Sequence, residues 1–239
     1  MEQKKVRGYG ARGWLLILWI ATAFIAYMVI GNYPLNMLSD LYGGQQKLSM
    51  IYTVASVIGV LIQIFASGAL GKMKSIKKFG VIMGILSILA LLGIMFIQAG
   101  PLWIACYALG TVFSVMYGTF ALSILVGQWF PTKKGSVMGI STMAFPLGNG
   151  VMGAFAGLVF GAGGPPQVAK GFLPFLIIMI VGLVIGIITV PDYPEQCGAF
   201  RDNNPNMTPE MAKQMMIQEM EDKKTTVWTL GHTLATRDF

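Results

Sequence analysis

Acidic residues, charge in general and cysteine are all scarce in this 239-residue chain. Only 11% of its residues are charged while 55% are hydrophobic, and its mean hydropathy is +0.66. A water-soluble domain carries about a quarter of its residues as charges, so water is not the main solvent of this chain. The two cysteines, Cys106 in an apolar run and Cys197 in a polar tail, give neither a disulfide framework nor a thiolate metal site and read as free thiols. The single histidine, His232, lies alone in the tail and reads as a solvated side chain. The formal net charge is +7, but the basic residues fall in short clusters between apolar runs and not along one face, which argues against nucleic acid as a partner.

Six long apolar stretches remain, at approximately Gly13 to Pro34, Leu48 to Gly71, Phe79 to Ala99, Leu102 to Gln128, Val137 to Gly161 and Phe172 to Val190. A hydrocarbon core about 30 Å thick needs roughly 20 residues at 1.5 Å each, so each stretch predicts one transmembrane helix. The basic N-terminus followed by the first stretch is too long for a signal-peptide core and lacks a cleavage site, so it predicts an uncleaved first span. None of the six contains an Asp, Glu, Lys, Arg or His in its interior. Proton relays, metal sites and the carboxylate or Ser/His sets of membrane-embedded hydrolases all need such groups. The expectation is therefore no catalytic residue, no metal, no cofactor and no enzyme.

Orientation follows from the basic residues. Lys4, Lys5, Arg7, Arg12, Lys72, Lys74, Lys77, Lys78, Lys133 and Lys134 lie on one side, with Lys47 and Lys170 on the other. Ten against two places the N-terminus and the second and fourth connections in the cytoplasm, with the C-terminus there too. The organisation is then a cytoplasmic N-terminus (1–12), a six-helix domain (13–190) and a cytoplasmic tail (191–239) of a multi-pass plasma-membrane protein. The tail holds eight of the ten acidic residues, and Thr208-Pro209-Glu210 predicts a helix over about 209–224 with an apolar flank of Met211, Met215, Met216 and Met220. A second short amphipathic piece runs from Val227 to Leu234. The ending at Phe239 reads as the approach to a further span.

Two connections carry a family resemblance. Gly68-Ala69-Leu70-Gly71-Lys72-Met73-Lys74-Ser75 with Lys77-Lys78 resembles the loop between the second and third helices of the major facilitator superfamily. Lys72 stands where that pattern has an aspartate, and Ser75 where it has the later glycine. A basic loop anchored at lipid headgroups explains Lys72 to Lys78 as well. Gln128-Trp129-Phe130-Pro131-Thr132-Lys133-Lys134-Gly135, continuing through Met138-Gly139 to Phe145-Pro146-Leu147-Gly148, resembles the fourth-to-fifth-helix region of the oxalate/formate antiporter branch. In this reading Trp129 and Phe130 suit the membrane interface, Pro131 ends a helix and Gly135 permits a tight re-entry. The resemblance covers about residues 13–239. It implies an all-α fold of two inverted three-helix repeats, half of a twelve-helix transporter, with the substrate cavity against a second six-helix half.

Neutral polar and aromatic residues are left inside the spans: Tyr27, Gln63, Tyr107, Thr111, Ser114, Tyr117 and Asn149. Tyr107, Thr111 and Ser114 recur at i, i+4 and i+7, so one stripe of the fourth helix faces something polar. The resemblance implies that the first and fourth helices line the cavity and that Tyr117 holds a tyrosine position of the branch, while Phe145 replaces a tyrosine on the fifth helix. Gly153, Gly157 and Gly161, with Ala55 and Gly59 on the second helix, are small-residue stripes that let backbones approach, toward a second half or within the unit. Three functions stay open: half of a transporter for a small organic anion such as oxalate or formate, a non-transporting interaction module, and a half-size transporter completed as a homodimer.

Overall fold

A computed structural model describes residues 8–71, 73, 75–97, 100–150, 154 and 168–225. The described residues are helical, with no strand among them. Five helices are long and apolar enough to cross a membrane: α1 (Gly10–Met37), α2 (Gln45–Gly71, apolar through Ala66), α3 (Ile76–Phe96), α4 (Pro101–Trp129) and α6 (Val168–Thr189). The chain is thus an all-α membrane protein. Between α4 and α6, α5 (Lys134–Thr142) continues past a turn at Met143 into helical residues 144–150. The rest of the expected fifth span, with Gly153, Gly157 and Gly161, lies outside the described residues. So do Lys72 and His232.

Local chemistry sets the ends. Gly43 and Gly44, at φ +108° and +90°, make the turn into α2, a backbone region open to glycine at little steric cost. Ser75 caps α3 by accepting from the Lys78 amide at 3.1 Å, and Pro101 begins α4 at the first position, where a missing N–H costs nothing. A tail helix, α7 (Pro209–Thr225), starts where the capping residue predicts, with the Met211 amide bonded to the Thr208 hydroxyl at 3.3 Å.

Helices α1 and α4 form the centre. In the most apolar window of each, 67% of residues are buried, against 17% for α2. α1 packs most extensively on α6, and α4 on α3; α2 lies on α4, α5 on α1, and α3 touches α6 as α1 touches α4. Lipid provides no hydrophobic drive between helices, so close packing has to hold them. Gly182 and Gly186 on α6 face Thr22 and Trp19 of α1, while Gly84 on α3 receives the Tyr117 ring and Leu183. Gly59 packs against Val112 and Val115 of α4, which makes the α2 small-residue stripe a contact within this chain; Ala55, beside it, is buried.

The segment after α6 does not leave the bundle as a free linker. Residues 191–203 run across the ends of α3, α4 and α1; Arg201 pairs within this segment with Glu195 (2.8 Å) and ties α7 back through a second ion pair with Glu219. Burial disfavours the Arg201 charge, but hydrogen bonds and the charges of Glu195 and Glu219 outweigh it and raise the pKa.

Candidate functional site

The polar residues inside the spans divide into two groups. The first is sealed in the core. Thr111 and Ser114, both 0% exposed, donate to the carbonyls of Tyr107 (2.9 Å) and Thr111 (3.0 Å) on their own helix. Tyr107 donates across to the Gly31 carbonyl of α1 at 2.9 Å. Its ring lies 5.5 Å from that of Trp103, which in turn stacks on Tyr42 at 4.0 Å. Tyr117 is buried, and its hydroxyl accepts from the Trp19 indole N–H at 2.7 Å. The stripe on α4 is therefore polar because the helix–helix contact is, and each of its hydroxyls is satisfied inside the chain.

The second group is half-buried and lies along α1, α2 and α4. Tyr27 and Tyr52 bring their hydroxyls to 3.2 Å, and the Tyr27 ring packs 5.8 Å from that of Phe145. Gln63 donates to the Thr119 hydroxyl at 3.0 Å, and that hydroxyl donates to the Val115 carbonyl at 2.7 Å. Thr119 stands in a π-helical turn, Met116–Ala121. The extra residue in such a turn changes the facing of the side chains after it, and π turns recur at functional sites. The same turn places Gly118 against the Ala23 carbonyl of α1, where an added Cβ would sit only 3.2 Å from that oxygen. Ser56 presents a buried hydroxyl without a partner. Asn149, on residues 144–150, is exposed.

Tyr52, Ser56 and Thr119 were not singled out by the sequence reading. Tyr52, Ser56 and Gln63 fall at i, i+4 and i+11 on α2, three turns of one face, and that stripe was readable. Thr119 was not, because regular helical spacing from Tyr107 misplaces residues beyond the π turn.

The two loop motifs behave differently from their expected roles. Trp129 and Phe130 are buried within the protein, at 2% and 1% exposure, and do not lie at an outer surface. The Trp129 indole donates to the Pro191 carbonyl at 3.0 Å. Phe130 sits against Gly13 and edge-on to Tyr9 at 5.6 Å. Pro131 follows the end of α4 as expected. Gly135 is an exposed residue inside α5 with open space around it and no positive φ, so the re-entry does not depend on it. The turn is made instead by Thr132 and Lys133, whose amides donate to the Asp202 carboxylate at 3.2 Å. Lys133 also donates to the Asp202 and Gly8 carbonyls, at 2.9 and 2.8 Å, and lies over the Tyr9 ring. Lys134 is exposed. In the other loop, Gly68 is in the last turns of α2. Lys77 donates its amide to Asp192 at 2.8 Å and its ammonium to the Ile187 carbonyl at 2.7 Å, and Lys78 is exposed.

Among the described residues no group of three His, Cys, Asp or Glu side chains is placed to hold a metal ion. No family model, curated protein or solved structure matches the chain.

Proposed function

We propose that the chain is the N-terminal half of a secondary active transporter of the major facilitator type, moving a small organic anion such as oxalate or formate across the cell membrane. The observation that carries the reading is the half-buried polar face formed by Tyr27, Tyr52, Gln63 and Thr119. An amide and two phenols set against lipid would give up hydrogen bonds that hydrocarbon cannot replace, at several kcal/mol each. Such a face belongs against water or another polar protein surface, as the wall of a substrate cavity does. The helix pairing supports two three-helix repeats, because exchanging α1, α2 and α3 for α4, α5 and α6 carries the α1–α6 contact onto α3–α4 and the α2–α4 contact onto α1–α5. Cationic groups for the anion would then come from a second six-helix half, whether a separate half or a second copy.

Counterflow into liposomes tests the proposal. The chain co-reconstituted with a second half should take up labelled oxalate or formate faster than empty liposomes. Equal uptake, with both halves folded and associated, would leave the non-transporting interaction module as the better reading of the polar face.

The same proposal puts the basic loops and both chain ends in the cytoplasm. In a background with Cys106 and Cys197 replaced by serine, Gln46→Cys should react with an impermeant maleimide applied outside cells and Thr132→Cys should not. Both positions are exposed loop or helix-end sites. Reaction at residue 132 alone would reverse the orientation.

A further inference from the structure

We propose that residues 191–203 form a clasp that binds the two basic loops into one cooperative unit, so that they open together and not one at a time. Each end of the clasp carries a carboxylate on backbone amides that no helix satisfies. Asp192 accepts from the Lys77 amide at 2.8 Å and from the Ser75 hydroxyl at 2.6 Å at the start of α3. Asp202 accepts from the Thr132 and Lys133 amides between α4 and α5. The first amides of a helix and of a turn are the donors a carboxylate holds best, by hydrogen bond and by the local dipole together.

The stretch joining these carboxylates is itself fixed. The Pro191 carbonyl is held by Trp129. Arg201 lies over the Tyr193 ring and is ion-paired to Glu195. Asp202 and Asn203 sit at φ +55° and +52°, a left-handed conformation that Asp and Asn adopt more readily than other non-glycine residues, and Asp202 is held there by the Thr132 and Lys133 amides. A chain braced in this way transmits the loss of one end to the other. A loosely attached linker would let each carboxylate act as an independent cap, and contiguous elements that open as one are a recognised form of local unfolding.

Hydrogen exchange read by mass spectrometry on the full chain in nanodiscs tests this. Asp202→Ala should speed exchange about tenfold or more in peptides covering residues 131–135, and by a comparable factor in peptides covering 76–80, which are held by Asp192 at the other end of the clasp. Asp192→Ala should do the reverse. If either substitution also loosens the middle of α1, the variant has unfolded broadly. Lys133→Gln then serves in its place, since it removes the side-chain bonds to Gly8 and Asp202 and the contact with the Tyr9 ring while leaving both carboxylates in place, with the same joint acceleration expected at 76–80. Acceleration confined to the loop next to the substitution would show two separate caps and overturn the clasp, as would unchanged exchange at both loops.

Discussion

Gly186→Ala is expected to be strongly destabilising. The new Cβ would run into the indole of Trp19, which is 0% exposed and whose N–H is committed to Tyr117. The ring cannot move without releasing that bond or pressing on Gly84, whose space the Tyr117 ring already fills. Overpacking a filled core costs about 1–3 kcal/mol and occasionally more. For a chain of this size that corresponds to a fall of roughly 2–12 °C in Tm. Thermal unfolding in detergent, followed by a thiol-reactive dye on the half-buried Cys106, measures it. Gly139→Ala is the matched control: Gly139 is helical with open space around its Cβ position, so alanine there should hold or raise Tm. If Gly186→Ala melts within a degree of wild type, α1 and α6 do not approach through Gly182 and Gly186.

The second large effect concerns substrate. Losing one hydrogen bond to a charged group costs about 1.5–3 kcal/mol, which is roughly a ten- to 150-fold rise in half-saturating concentration. Under the transporter proposal, Tyr27→Phe and Gln63→Leu should each show a rise of that order in the completed protein, in counterflow at equal incorporation. Tyr107→Phe and Tyr117→Phe should leave affinity within about threefold, because their hydroxyls bond Gly31 and Trp19 inside the chain. Their effect should appear as lost stability, on the order of 1–3 kcal/mol for an unpaired buried group. The opposite pattern, with Tyr117→Phe weakening every anion and Tyr27→Phe and Gln63→Leu none, would move the site into the core beside Trp19 and remove the face assigned here.

The boundaries of the spans were legible in the residues. Five observed helices match the expected ones to within about four residues at each end, and the tail helix begins at Pro209 as its cap implies. Hydropathy and capping are local properties, and the bilayer converts the first directly into helix length. The partner of each polar side chain was not legible. Tyr117 and Gln63 are both neutral polar residues in apolar helices, yet one is sealed against Trp19 and the other is half-exposed beside Thr119. The glycine pair that matters at the α1–α6 contact, Gly182 and Gly186, has the same spacing as the stripe on the expected fifth helix. Spacing shows that a close approach is possible but does not name the helix that makes it.

Composition alone thus determined that the chain is an all-helical membrane protein, because a backbone in hydrocarbon has to satisfy its own hydrogen bonds and runs of about 20 apolar residues do so only as helices. The tertiary structure decided which polar groups are spent inside and which are left on a face. It also decided that the acidic segment after α6 belongs to the bundle. Asp192 and Asp202 lie more than 60 residues from the amides they hold, and a contact of that range depends on how helices pack, which no local pattern encodes.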